Sequence, residues 1–193
     1  IGSRAGDVLR WAARAGCKMV FLGLEAEEVD ALATVNKRLN LQRGVDSYAA
    51  AFRRIHQAGI AVLGAFIFGL EGDTDRSLRH RVRYMIRSGV DVMQTTYLTP
   101  LPGTRLFDAY RSEDRLLHGE FPVDWDRYDM AEVTHRPSDL SPEGLAQVMA
   151  AGNRRMYAWP TLLLKAVRTL IATRDPVTTM FAWNSNVNYR QIG

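Results

Sequence analysis

Three short apolar runs, residues 18–24, 61–68 and 92–98, stand out from an otherwise mixed sequence. Each is rich in β-branched and aromatic residues and almost continuous in apolar character, the pattern of strands buried on both faces of a parallel sheet. Helical periodicity fills the intervals. Val8, Leu9, Ala12 and Ala13 share one face before the first run, Tyr48, Phe52 and Ile55 before the second, and Leu78, Val82, Met85 and Ile86 before the third. Each helix closes with the same punctuation: Ala15-Gly16-Cys17, Ala58-Gly59-Ile60 and Ser88-Gly89-Val90. A glycine just past the last turn takes the left-handed conformation that ends a helix without a Cβ clash. The repeating unit is therefore helix, glycine, strand, loop. Strands of one sheet joined by crossover helices run parallel, so the pattern predicts an α/β fold.

Beyond Pro100 the pattern changes. Leu101-Pro102-Gly103-Thr104 reads as a turn feeding a short helix, with Thr104 as its N-cap. Residues 118–140 carry Trp125, Tyr128 and Pro137 without a clear period and read as an ordered loop. Ser141-Pro142-Glu143 opens a helix to about Ala158, and Pro160 opens another. The Asn-rich tail from Arg174 reads as weakly structured. Residues 1–115 thus form the α/β part and residues 116–193 a loop and helical C-terminal extension. The stretch 157–172 joins Leu162, Leu163, Leu164, Val167, Leu170 and Ile171 to Lys165 and Arg168. Such a helix packs on a core or lies on a membrane surface, and core packing is the favoured expectation.

The 193 residues, 47% hydrophobic and 24% charged, suit an ordinary globular protein with a real core. The net charge of +4 is spread over separate clusters, Arg53-Arg54, Arg79 to Arg83 and Arg154-Arg155. They read as solvated helix faces rather than a phosphate track, so no nucleic-acid partner is expected. Cys17 is the single cysteine, which suits a reducing compartment and leaves no disulfide framework within the chain. One thiol and four histidines without ligand spacing offer no metal site. Neither a signal pattern nor an apolar run of membrane-spanning length occurs, and a cytoplasmic location is expected.

In parallel α/β sheets and barrels, ligands bind at the carboxyl ends of the strands. Three loops qualify. Glu25, after the first strand, either presents a carboxylate to the site mouth or sits in solvent at a helix N-terminus. The segment Gly64 to Thr74 holds glycines that suit either a close-approaching ligand or tight packing, and it is not a dinucleotide fingerprint. Tyr97 to Thr104 has two prolines that fix its backbone, suiting either a flat base or a plain turn.

Taken together, these loops resemble the radical S-adenosylmethionine superfamily, in particular its subgroup with an N-terminal cobalamin-binding domain. Ala15 to Glu25 is similar to the family's fourth barrel strand and Gly-x-Glu element. Asn36-Lys37-Arg38-Leu39-Asn40 resembles its Asn-Lys-Arg-x-Asn segment, and Ala58 to Asp73 its fifth strand with Gly-x-Ile-x-Gly. Leu98 to Thr104 resembles the sixth-strand Thr-Pro-x-Pro-Gly-Thr loop, and Trp125 to Pro160 the helical extension. Glu71 and Asp73 depart from the family's usual Pro and Glu.

The resemblance implies the C-terminal half of a partial (β/α)6, TIM-like barrel, with earlier strands and the cluster-binding cysteine loop absent from this chain. It also implies S-adenosylmethionine as cofactor, with a [4Fe-4S] cluster and cobalamin in the intact protein, where radical chemistry would support methyl transfer. Carried onto this sequence, Glu25 would contact the methionyl or ribose part of S-adenosylmethionine and Lys37 its carboxylate side. Ile67 and Gly69 would border adenine, and Leu98 with Thr99 would offer it backbone contacts. The substrate, a small or lipid-like molecule, is not legible, and no catalytic residue is assigned. The alternative is a standalone α/β domain binding a nucleotide-like ligand without catalysis. Cys17, just before a strand, is expected to pack rather than to ligate.

Overall fold

The structure, a computed structural model, describes residues 5–26 and 47–192. Three parallel strands form one sheet in the order β1 (Met19–Glu25), β2 (Ala61–Phe68), β3 (Val92–Tyr97). Among the described residues, β1 and β3 each keep one edge without a neighbouring strand. Helix α1 (Ala5–Arg14) leads into β1, α2 (Ser47–Gln57) into β2 and α3 (Asp75–Arg87) into β3. Gly16 and Gly59 both have positive φ (88° and 76°), as the helix stops require.

The apolar rows of the sheet divide by parity. Val62, Phe66, Phe68, Met93 and Tyr97 point to the outer face, where they meet Phe52, Ile55, Leu78, Val82 and Met85 of α2 and α3 in the main core. The α/β expectation is met there, but burial is uneven. Strand β2 is buried on nearly its whole length, whereas Phe21 of β1 is 62% exposed. Phe21 belongs to the inner row of an edge strand, above the part of that face that the last helix covers.

After β3 the chain forms α4 (Arg105–Ser112), capped by the Thr104 hydroxyl, which accepts the Phe107 N–H at 3.2 Å. The segment from residue 118 to 140 is largely loop, as expected. A short 3-10 turn (Val123–Arg127) and a cluster of Phe107, Phe121, Trp125 and Tyr128 rings order it. Helices α5 (Pro142–Met156), α6 (Trp159–Thr173) and α7 (Pro176–Ile192) follow. Ser141 caps α5 through the Gly144 N–H at 3.0 Å, and α5 packs so closely on α3 that a Cβ at Gly152 would sit 2.8 Å from Val82.

The tail corrects the sequence reading. Expected to be weakly structured, it is instead α7, which crosses the lower inner face of the sheet. Ala182 joins Ala61, Leu63 and Val92 in a second small core there. Thr178 donates to the Gly59 carbonyl (2.7 Å) and Asn186 to that of Asp91 (2.9 Å). The buried row Thr178, Ala182, Asn186 is polar and small, so hydrophobic periodicity does not reveal it. No helix among the described residues is long and apolar enough to cross a membrane.

Candidate functional site

Parallel pairing puts the three strand ends on one edge. Register pairs Glu25 with Phe66 and Phe68 with Tyr97, so the turns after β1, β2 and β3 are neighbours. With strands about 4.8 Å apart, the turns span roughly 10 Å, the width of a nucleoside-sized ligand. Below them the upper inner face carries Gly23, Ala65, Ile67, Gln94 and Thr96, by the same parity that assigns Ala61, Leu63 and Val92 to the inner core. Gly23 and Ala65 leave room at its centre, and α7 covers only the lower half.

Glu25 ends β1 with φ of 70°, a left-handed conformation that a non-glycine residue adopts only where its surroundings hold it. A register shift between Gly23 and Glu25 turns the strand at that point. The carboxylate lies near Tyr48, whose hydroxyl donates to the Leu24 carbonyl at 3.5 Å. Burial, with Tyr84 and Glu25 nearby, pushes the Tyr48 phenol up to about 12.

The β2 turn is built around a buried ion pair. Asp73 accepts the N–H groups of Gly69 (3.0 Å) and Leu70 (2.9 Å), so one carboxylate orients two amides of the turn. Arg81 grips the same carboxylate through two bonds of 2.8 Å and donates a third, of 2.7 Å, to the Ile67 carbonyl. Both side chains are almost fully buried. Gly69 has φ of 89°, and a Cβ there would lie 2.7 Å from Leu145 Cδ2, so the position accepts no side chain without rearrangement. Thr74, not Asp73, caps α3, in a reciprocal pair with Ser77. Asp73 is thus free to hold the turn and to pair with Arg81.

Arg81 corrects the reading of Arg79 to Arg83 as a solvated face. Arg79 is solvent-exposed and pairs with Asp75 at 2.7 Å, but Arg81 is fully buried. The signal was present in the sequence, since Arg81 falls in the apolar row of Leu78, Val82 and Met85.

The second departure, Glu71, lies at the rim. It accepts from Tyr110 (3.3 Å) and Arg115 (3.0 Å), and the Arg115 guanidinium stacks 4.1 Å above the Tyr110 ring. Partial burial works against the Glu71 carboxylate, but its hydrogen bonds and the Arg115 charge outweigh it and hold the carboxyl below its ordinary range. Behind the turn, fully buried His135 meets the Gly69 carbonyl at 3.3 Å and packs on Tyr110. Burial lowers its proton affinity below that of a free imidazole.

At the third turn, the Leu98 N–H donates to the Phe68 carbonyl at 2.8 Å and the Thr99 hydroxyl to that of Tyr97 at 3.2 Å. These bonds fix the backbone of 98–99 beside the β2 turn. The structure thus brings Glu25, Ile67, Gly69, Leu98 and Thr99 to one edge. Lys37 lies outside the described residues. Sequence reasoning missed Asp73 and Arg81 as organisers of the turn. It also missed Gln94, whose Oε1 is buried without a hydrogen-bond partner among the described residues.

Cys17 packs as expected, its thiol donating to the Met19 carbonyl at 3.4 Å against the main core. With one cysteine in 193 residues, the chain does not fit a [4Fe-4S] cluster. The described residues contain no group of three or more His, Cys, Asp or Glu that could hold a metal.

No family model matches the sequence. The chain is 30% identical over 151 residues, 78% of its length, to bacteriochlorophyllide d C-12(1)-methyltransferase of Chlorobaculum tepidum, covering 31% of that protein. It is 24% identical over 153 residues to bacteriochlorophyllide d C-8(2)-methyltransferase of the same organism, covering 33% of it. It is 25% identical over 154 residues to the anaerobic magnesium-protoporphyrin IX monomethyl ester cyclase of Cereibacter sphaeroides, covering 24%. The chain therefore spans about a third of the length of the two methyltransferases and a quarter of the cyclase.

Proposed function

We propose that this chain is the part of a radical S-adenosylmethionine methyltransferase that holds the nucleoside side of its cofactor. The observation that carries the reading is the convergence of the turns after β1, β2 and β3 on one edge above an inner face of small residues. Bound S-adenosylmethionine supplies the activated methyl group or, with a reduced cluster, the radical chemistry of the resembling family. The residues of this chain orient it. Glu25 accepts hydrogen bonds from the ribose or the ammonium group, and the turn at Gly69 lets the backbone approach the base. Leu98 and Thr99 offer it a fixed backbone edge. A [4Fe-4S] cluster and cobalamin, which the resemblance implies, would be held by residues other than those of this chain.

Two relatives are named for methylation of a bacteriochlorophyllide and a third for a magnesium-protoporphyrin ester. On that basis the substrate class we propose is a tetrapyrrole, a flat and largely apolar ring system. The test is equilibrium dialysis of radiolabelled S-adenosylmethionine with the full-length protein under anaerobic conditions. Glu25→Gln is expected to weaken binding roughly tenfold, the loss of about 1.4 kcal/mol from one charged hydrogen bond. Gly69→Ala is expected to weaken it at least as much, whereas Arg79→Gln, on the exposed face of α3, leaves it unchanged. Wild-type affinity in both site variants would overturn the assignment.

A further inference from the structure

Helix α6 is mounted with its stripes reversed. The row it buries is Leu162, Lys165, Thr169 and Thr173, of which three are polar. Lys165 Nζ donates to the carbonyls of Met85 (2.7 Å), Ser88 (3.3 Å) and Val90 (2.5 Å), and Thr169 donates to Asp91 at 2.7 Å. The outward row is apolar: Leu163 is 56% exposed, Val167 55% and Ile171 70%, with Leu164 and Leu170 beside them. An ordinary surface helix does the opposite. Core packing, the expectation from sequence for this stretch, holds for Leu162 alone among its large apolar residues; the other five are exposed among the described residues. Several large side chains exposed along one helix mark an interaction face.

Charge says what kind of partner fits. Residues 144–193 hold six basic residues, Arg154, Arg155, Lys165, Arg168, Arg174 and Arg190, against the single acid Asp175. Lys165 is buried in its carbonyl cage, and Asp175 is paired with Lys18 at 2.7 Å. From residue 144 onward the unpaired exposed charge is therefore guanidinium, while residues 1–143 carry 19 basic and 20 acidic side chains. Trp159, at the start of α6, stacks on Trp183 of α7 (5.9 Å) and under the Arg190 guanidinium (4.8 Å). An apolar row with an amphipathic aromatic at its end and arginines around it matches a bilayer interface of negative headgroups. A second copy would oppose arginine to arginine. At 15 residues, about 22 Å, α6 is too short to span a hydrocarbon core of about 30 Å and suits lying in the headgroup plane.

We infer that the outward face of α6 docks the protein on an anionic lipid surface. Leu163, Val167 and Ile171 enter the acyl boundary while Arg168 and Arg174 remain among the headgroups. The inference does not depend on the cofactor assignment. The test is co-sedimentation of the full-length protein with phosphatidylcholine vesicles, with or without about one third phosphatidylglycerol, at low and high salt. Binding is expected only with the anionic lipid, with a blue shift of tryptophan emission, and weakens at high salt. Leu163→Glu with Ile171→Glu is expected to lower binding at least tenfold with an unchanged circular dichroism spectrum, because neither residue is buried. Arg168→Gln and Arg174→Gln each lower it roughly fivefold. The inference is overturned by absent binding, by equal binding to neutral vesicles, or by variants that bind like wild type. It is also overturned if sedimentation velocity shows a dimer that Leu163→Glu with Ile171→Glu dissolves, which would assign the face to a second copy. Retention of a stoichiometric protein partner that the same double substitution releases would overturn it too.

Discussion

Asp73 does two jobs with one carboxylate: it fixes the amides of Gly69 and Leu70, and it compensates a guanidinium that has no access to water. Removing either partner strands the other. Asp73→Ala takes from Arg81 the carboxylate that two of its nitrogens hold and leaves the Gly69 and Leu70 amides without their acceptor, and it is expected to destabilise the protein by about 3 kcal/mol, measured as the shift in urea midpoint. Arg81→Met leaves the buried Asp73 carboxylate to its two amide donors, frees the Ile67 carbonyl and lets the β2 turn relax. Its expected signature is weaker S-adenosylmethionine binding in excess of what lost stability explains. Wild-type affinity in a folded Arg81→Met protein would show that the pair serves the core and not the turn. At Gly69 the obstacle is the backbone as well as space, because φ of 89° disfavours any Cβ before the contact with Leu145 is considered.

At the scale of elements, what the sequence displays is what depends on apolar periodicity. The second strand matches residue for residue over Ala61–Phe68, and the first and third lie within a residue at each end, because continuous apolar runs between glycine stops admit few other readings. The caps at Thr104 and Ser141 are equally legible, since a hydroxyl before a helical period has one common use. Elements held by polar contacts were not. Helix α7 buries Thr178, Ala182 and Asn186, and Arg81 hides in a cluster of arginines that composition marks as surface. The site was legible as three loops, and Arg81 lies in the apolar row of its helix, but its pairing with Asp73 was not legible, because periodicity marks a buried position without naming its partner. The role of α7 can be measured. Asn186→Ala removes the bond to the Asp91 carbonyl and is expected to cost about 1–2 kcal/mol, seen as a lower urea midpoint with unchanged slope. A wild-type midpoint would mean that α7 contributes little to the sheet it covers.

On the scale of the whole molecule, one buried polar network ties the end of the sheet opposite the site to three helices. Asp91 accepts from the Val62 amide (2.7 Å) and from Thr169 of α6 (2.7 Å), and it bonds His56 of α2 (2.8 Å). Its carbonyl receives Asn186 of α7. Lys165 stands beside this network, its three donor contacts matching the three hydrogens of an ammonium. Burial opposes that charge, as does Arg168 on the same helix, while Asp91 supports it. Burial prevails and brings the lysine from 10.5 down to about 7. The sign of the effect on stability follows. Between about pH 7 and 10.5 the unfolded chain holds a proton on Lys165 that the folded chain has released, so the stability of the fold rises with pH across that window. It falls again as pH drops towards 7. The slope from this group is at most about 1.4 kcal/mol per pH unit. Lys165→Met removes the titration while keeping the aliphatic stem, so its stability is expected to lack this slope, although the variant is weaker overall because three carbonyls lose their donor. Urea midpoints of wild type and Lys165→Met at pH 6.5, 8 and 9.5 decide the matter. A difference between the two proteins that widens in favour of wild type as pH rises is the expected result. Parallel pH profiles would mean that the lysine keeps its proton throughout and that its carbonyl cage, rather than burial, governs it.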